Sequence, residues 1–75
     1  MSDVEKIINK MKRQPNGIKP GEADKVLSEY GYNAVRQKGS HKHYLNSETG
    51  DLITIKQSSP LKKVYVLDIL GRIGE

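Results

Sequence analysis

The chain has 75 residues, with 13 Lys and Arg against 9 Asp and Glu, a formal net charge of +4 and no cysteine. A chain this short buries only about 60% of its unfolded surface, so the expectation is one small domain with a shallow surface or groove as its site. Disulfides, thiolate metal sites and thiol nucleophiles are excluded. The apolar runs are too short for a membrane span, and residues 1–5 lack the basic and apolar regions of a signal peptide.

Ser2 and Glu5 have capping-box spacing, and Val4, Ile7, Ile8 and Met11 follow as a helical apolar stripe. Gln14-Pro15-Asn16-Gly17 ends that helix. Pro20 suits the first turn of a second helix, whose apolar face is Ala23, Val26, Leu27 and Tyr30; Gly31 is its C-terminal stop. Residues 32–38 read as a strand, with Arg36 and Lys38 on the face opposite Val35 and Gln37. Gly39-Ser40 is a tight connection. Residues 41–46 form a second, antiparallel strand with His41, His43 and Leu45 on one face and Lys42, Tyr44 and Asn46 on the other. Residues 46–51 are a hairpin loop. Residues 52–57 are a third strand with Ile53 and Ile55 on one face. A loop of residues 57–60 leads to a last helix marked by Val64, Leu67, Leu70 and Ile73, its end weakened by Gly71 and Gly74.

The order α-α-β-β-β-α predicts an α+β fold, with helices covering one face of a three-stranded antiparallel sheet. Its last five elements follow the order of the double-stranded-RNA-binding domain. Order alone does not assign function.

Charge is unevenly spread. Residues 31–47 carry Arg36, Lys38 and Lys42 and no acid, and residues 52–67 carry Lys56, Lys62 and Lys63 and no acid. An anionic partner fits this distribution. Both histidines, His41 and His43, lie in the first basic stretch. An imidazole ordinarily exchanges protons near neutral pH, and His41 follows the Gly-Ser turn at a strand start, among cations suited to phosphate.

Other chemistries find less support. A zinc site takes three or four ligands, and no acid or cysteine lies near the two histidines in sequence. Ser40 and His41 are adjacent on extended backbone, so their side chains diverge, and no Gly-x-Ser-x-Gly elbow is present. There is no phosphate-binding loop of the Gly-x-x-x-x-Gly-Lys type, and no carboxylate pair to recruit magnesium. Metal-independent acid–base chemistry on RNA remains: the ribose 2′-OH attacks the adjacent phosphate while protein groups move protons and hold charge.

Tyr30-Gly31-Tyr32, then Val35-Arg36-Gln37-Lys38-Gly39-Ser40-His41, closely resembles the HicA family of toxins from bacterial toxin–antitoxin pairs. Tyr44, Thr49-Gly50, Leu52-Ile53-Thr54-Ile55 and Pro60-Leu61-Lys62 continue the resemblance over residues 22–73. In the family's terms, residues 20–74 are the core and residues 1–17 an N-terminal extension of a single domain. The resemblance implies an mRNA interferase acting in the cytoplasm without a cofactor or metal, and a HicB antitoxin that masks its active surface. By position the catalytic histidine is His41. Arg36, Lys38, Gly39, Ser40, Lys42, His43, Lys56 and Lys62 are the expected RNA-binding residues, while His43 does not carry over as catalytic. The family often has a Pro and a basic residue after the third strand, where Gln57-Ser58-Ser59 follows Lys56 here.

An RNA-binding module that cuts nothing fits the same order and charge. Its affinity would depend on salt and survive replacement of His41, since phosphate contacts come mainly from Lys and Arg. A protein-binding adaptor would lack RNA affinity even at low salt.

Overall fold

The computed structural model describes residues 3–75, so the capping pair expected at Ser2 and Glu5 lies partly outside the described residues. The first apolar stripe becomes helix α1 (Asp3–Arg13), which buries Ile7, Ile8 and Met11. Helix α2 (Pro20–Glu29) starts on Pro20 and buries Ala23, Val26 and Leu27. Its first turn is fixed by Glu22, whose carboxylate accepts from the Lys19 backbone N–H at 3.0 Å and from Lys10 Nζ of α1 at 3.0 Å. One side chain thus closes a helix end and ties two helices together. Tyr30, expected on the buried stripe, sits at the C-cap and is partly exposed; Gly31 then takes φ +88°, as expected of a glycine stop.

The three strands are β1 (Tyr32–Lys38), β2 (His41–Asn46) and β3 (Leu52–Lys56), antiparallel in the order β1-β2-β3. The β1–β2 connection is Gly39-Ser40, closed by the pair Lys38 and His41. Gly39 has φ +59°, whereas Ser40 does not have positive φ. This is the sign pattern of a type II′ hairpin turn, which matches the twist of the strands it joins. The β2–β3 loop is organised by Asn46. Its Oδ1 accepts from the Glu48 and Thr49 N–H groups at 2.9 and 3.2 Å, and its Nδ2 donates to the Tyr30 carbonyl at 3.1 Å. Asn46 is buried with these polar atoms satisfied.

Helix α3 (Lys63–Ile73) buries Val66, Ile69 and Leu70. Val64 and Leu67, expected on its apolar face, are instead 65% and 48% exposed. The helix is apolar on more than one side, and the stripe that turns inward is Val66, Ile69, Leu70 and the partly buried Ile73, at i, i+3, i+4, i+7 spacing. Arg72 bonds Asp51 Oδ1 at 2.7 Å and the Leu52 carbonyl at 3.1 Å, which fixes α3 against the β2–β3 loop. Before the helix, the Leu61 N–H donates to the Ile18 carbonyl at 2.7 Å and Leu61 is buried.

The architecture is α+β with the order α-α-β-β-β-α, and α2 through α3 follow the order of the double-stranded-RNA-binding domain fold. One face of the sheet, with Tyr32, Tyr44, Ile53 and Ile55, packs into a core with Met11, Ile18, Leu27 and Ile69. Among the described residues no helix is long and apolar enough to cross a membrane.

Candidate functional site

The other face of the sheet carries the polar constellation. Directly paired residues share a face, so the register reads it out. Lys38 pairs with His41 and His41 with Lys56; Arg36 pairs with His43 and His43 with Thr54. His41 therefore lies between Lys38 and Lys56, and His43 between Arg36 and Thr54. None of the three strands contains an acidic residue. Among the described residues, Arg36, Lys38 and Lys56 make no ion pair, whereas Lys10, Lys12, Lys25, Lys42 and Arg72 all do. The carboxylates are thus spent along the helices and loop, and the open face keeps its charge.

A β-bulge creates this arrangement. The register shifts between Ala34 and Arg36, leaving Val35 as the extra residue, 56% exposed. Ala34 pairs with Tyr44 on the core side. In a regular strand, alternation from Ala34 would put Arg36 and Lys38 on that side too. One extra residue reverses the parity and turns both cations to the open face, while Gln37 turns to the helix side.

The hairpin turn borders the site. Ser40 is tied through its carbonyl, which accepts from the Gln57 N–H at 2.6 Å, and the Gly39 carbonyl accepts from Gln37 Nε2 at 3.1 Å. The Ser40 hydroxyl has no hydrogen bond among the described residues. No heavy atom lies within 4 Å of where a Gly39 Cβ would stand, so its surroundings are open. His41 is exposed at the start of β2. His43 is half-buried, with Nδ1 2.8 Å from Thr54 Oγ1, a hydrogen bond whose direction follows the tautomer.

Two expected RNA-binding residues stand apart. Lys42 shares the helix-facing side with Tyr44; its Nζ is 3.3 Å from Asp24 Oδ1 and 5.3 Å from the centroid of the Tyr44 ring. Tyr44 Oη donates to the same Asp24 oxygen at 2.9 Å. Burial, with the bond to Asp24, pushes the Tyr44 hydroxyl far above its ordinary range, so it stays a donor. Lys62 is the N-cap residue of α3, outside the sheet.

The site is a surface rather than a cavity. A groove of about 610 Å³ between α1 and α2 is lined by Asp3, Lys6, Ile7, Lys19, Gly21, Glu22 and Lys25. It holds no histidine, and its Lys25 is paired with Asp3. Among the described residues, no three His, Asp or Glu side chains form a group that could hold a metal. Among the described residues the open face has no tyrosine, since Tyr32 and Tyr44 face the helices, Tyr30 is the C-cap of α2 and Tyr65 packs against the core from α3.

Sequence reasoning missed two participants. Thr54 was read only as a strand residue; the strand pairing is what sets it opposite His43. Asp24 is the residue that takes the charge of Lys42 on the far side of the sheet.

Residues 21–74 match the family described as HicA toxin of bacterial toxin–antitoxin. No curated protein and no solved structure gives a significant match. The family match runs from α2 through α3, leaving out α1, although Ile7, Ile8 and Met11 of that helix enter the same core. It takes in all three strands and spans well over half of the sequence, and the chain therefore belongs to the HicA family of toxins from bacterial toxin–antitoxin pairs.

Proposed function

We propose that this toxin is a metal-independent endoribonuclease, an mRNA interferase, with His41 as general acid or base. The observation that carries the reading is the position of His41 on an acid-free sheet face, between Lys38 and Lys56 and near Arg36. Three cations free of carboxylates suit a phosphodiester backbone. An exposed imidazole beside them suits proton transfer to or from a bound strand. The fold order, shared with a double-stranded-RNA-binding domain, agrees with an RNA ligand but does not require one.

The chemistry uses the ribose itself. The 2′-OH attacks the adjacent phosphorus, the bond to the 5′-oxygen breaks, and a 2′,3′-cyclic phosphate and a 5′-hydroxyl result. His41 moves one of the two protons. Arg36, Lys38 and Lys56 hold the phosphate and stabilise charge developing on its oxygens. Gly39 shapes the turn, and the Ser40 hydroxyl is free to donate to a phosphate oxygen. Lys62 is a further phosphate contact for a strand that runs past the sheet. Lys42 serves this face indirectly, through its bond to Asp24. DNA lacks the 2′-OH and would bind without being cut.

A toxin of this family has an antitoxin partner. In this reading it is HicB-like and silences the toxin by covering the open face, with acidic groups meeting the unpaired cations. Replacing His41 tests the assignment. His41→Ala abolishes RNA cleavage and growth arrest while its far-UV circular dichroism and thermal unfolding stay those of the wild type. A folded variant that cuts RNA as well as the wild type would overturn it.

A further inference from the structure

A single histidine accounts for one of the two proton transfers. We infer that His43 carries the other, so that His41 and His43 act as an acid–base pair across one phosphate; this rests on the endoribonuclease reading above. His41 and His43 are two residues apart on β2 and share the open face. At a strand rise of about 3.3 Å per residue, their side chains start roughly 7 Å apart. That separation suits two imidazoles that each reach one oxygen of a single phosphate through a hydrogen bond of about 2.6–3.2 Å.

The two histidines are supported differently. His41 has no hydrogen bond among the described residues and stands free at the strand start. The His43 ring is held through Nδ1 by Thr54 Oγ1 at 2.8 Å. An imidazole held at one nitrogen presents the other in a fixed direction, and a threonine hydroxyl, which can donate or accept, serves either protonation state of the ring. The groups facing His43 are Arg36 on β1, Thr54 on β3, and His41 and Leu45 on its own strand, with Lys38 and Lys56 one pair further along. The helices lie behind the sheet, where Lys42, Tyr44 and Asp24 bond one another and leave the open face alone.

In the step, one neutral imidazole accepts the 2′-OH proton as the 2′-oxygen bonds to phosphorus. The bond from phosphorus to the 5′-oxygen breaks, and the other, protonated imidazole gives that oxygen its proton. Arg36 sits beside His43 to stabilise the phosphate charge. No water, metal or oxidant is consumed. Thr54 is a positioning residue that acts through the His43 ring.

The test measures single-turnover cleavage of a short RNA against pH for wild type, His41→Ala, His43→Gln, Thr54→Val and Thr54→Ser. Affinity for the uncleavable 2′-O-methyl form of the same oligonucleotide is measured beside it. His43→Gln lowers the cleavage rate about 10²–10⁴-fold and removes one limb of a bell-shaped pH profile, while affinity holds within about threefold. Thr54→Val weakens cleavage more than affinity, and Thr54→Ser, which keeps the hydroxyl, restores it. If His43→Gln cuts at the wild-type rate, or loses cleavage only in proportion to affinity, His43 is not the second group. Should the glutamine variant unfold, Thr54→Val with wild-type cleavage and pH profile overturns the inference. An inactive His41→Ala beside a fully active His43→Gln refutes this pairing alone. A wild-type protein that cuts no RNA, or an active His41→Ala, refutes the endoribonuclease reading beneath it.

Discussion

The division of the lysines between two faces of the sheet makes a quantitative prediction about salt. Lys56 pairs with His41 on the open face and has no ion pair among the described residues, whereas Lys42 lies on the helix side and is paired with Asp24. Each phosphate contact to a single strand contributes roughly 0.7 to the slope of log affinity against log salt. For an oligonucleotide too short to reach Lys62, Arg36, Lys38 and Lys56 together give a slope of about −2, an affinity loss of about 20-fold between about 50 and 200 mM salt. Lys56→Gln leaves two contacts and a slope of about −1.4, for a loss of only about sevenfold over that range. Lys42→Gln keeps the wild-type slope, because its charge never faced the strand. The assay is fluorescence anisotropy with a 2′-O-methyl oligonucleotide, all variants being titrated at the same pH. A Lys42→Gln slope reduced as much as that of Lys56→Gln would refute the two-face reasoning. An unchanged slope for Lys56→Gln would refute it equally.

Tyr44→Phe removes the hydroxyl bonded to Asp24 at 2.9 Å. Because the Asp24 side chain is about half exposed and keeps Lys42, the loss sits at the low end for a charged hydrogen bond, about 1–1.5 kcal/mol, and Tm falls by about 4–10 °C. In an Asp24→Ala background the same change costs less, and an equal cost there would disprove the coupling. Gly39→Ala forces an L-residue to φ +59° with no Cβ clash, and denaturant titration should give a loss of about 1–2 kcal/mol. Gly71→Ala, inside α3 and in open space, should gain about 0.5–1 kcal/mol; a gain at both positions would contradict the turn geometry. The Tyr32 hydroxyl and then the Arg72 guanidinium hold the Asp51 carboxyl below the usual carboxylate range. A depressed carboxylate stabilises the fold above its unfolded value near about 3.9, and that contribution is lost as pH falls through its folded value. Asp51→Asn is accordingly less stable at neutral pH, and thermal melts of wild type and variant should converge in acid; a constant gap at every pH rules this out.

Much of the molecule is legible in the sequence because its signals are local. The stripe of Ile7, Ile8 and Met11, Pro20, the stop at Gly31 and the Gly39-Ser40 turn each act within a few residues. The grouping of His41 with His43 follows from strand alternation alone. What is not legible depends on distant partners. Alternation continued from the buried Tyr32 would send Arg36 and Lys38 inward, and only the bulge at Val35 sends them out. Alternation already sets Lys42 opposite His41 and His43, but only Asp24, 18 residues earlier, shows that its charge is taken. Helix α3 offers Val64 and Leu67 as readily as Val66 and Ile69. The stripe with the better fit to the core is buried, and Arg72 ties the helix in that position through Asp51 and the Leu52 carbonyl. In each case the sequence names the residue type, and the pairing of distant segments decides what it faces or bonds.

The central claim is that an imidazole-bearing, acid-free sheet face drives attack by the ribose 2′-OH. The chemistry of the cut ends tests it most directly. RNA incubated with the purified toxin in EDTA should yield downstream fragments with a 5′-hydroxyl and upstream fragments with a 2′,3′-cyclic phosphate, and the 2′-O-methyl form should stay whole. Downstream fragments with a 5′-phosphate, or cleavage of the 2′-O-methyl strand, would contradict the account.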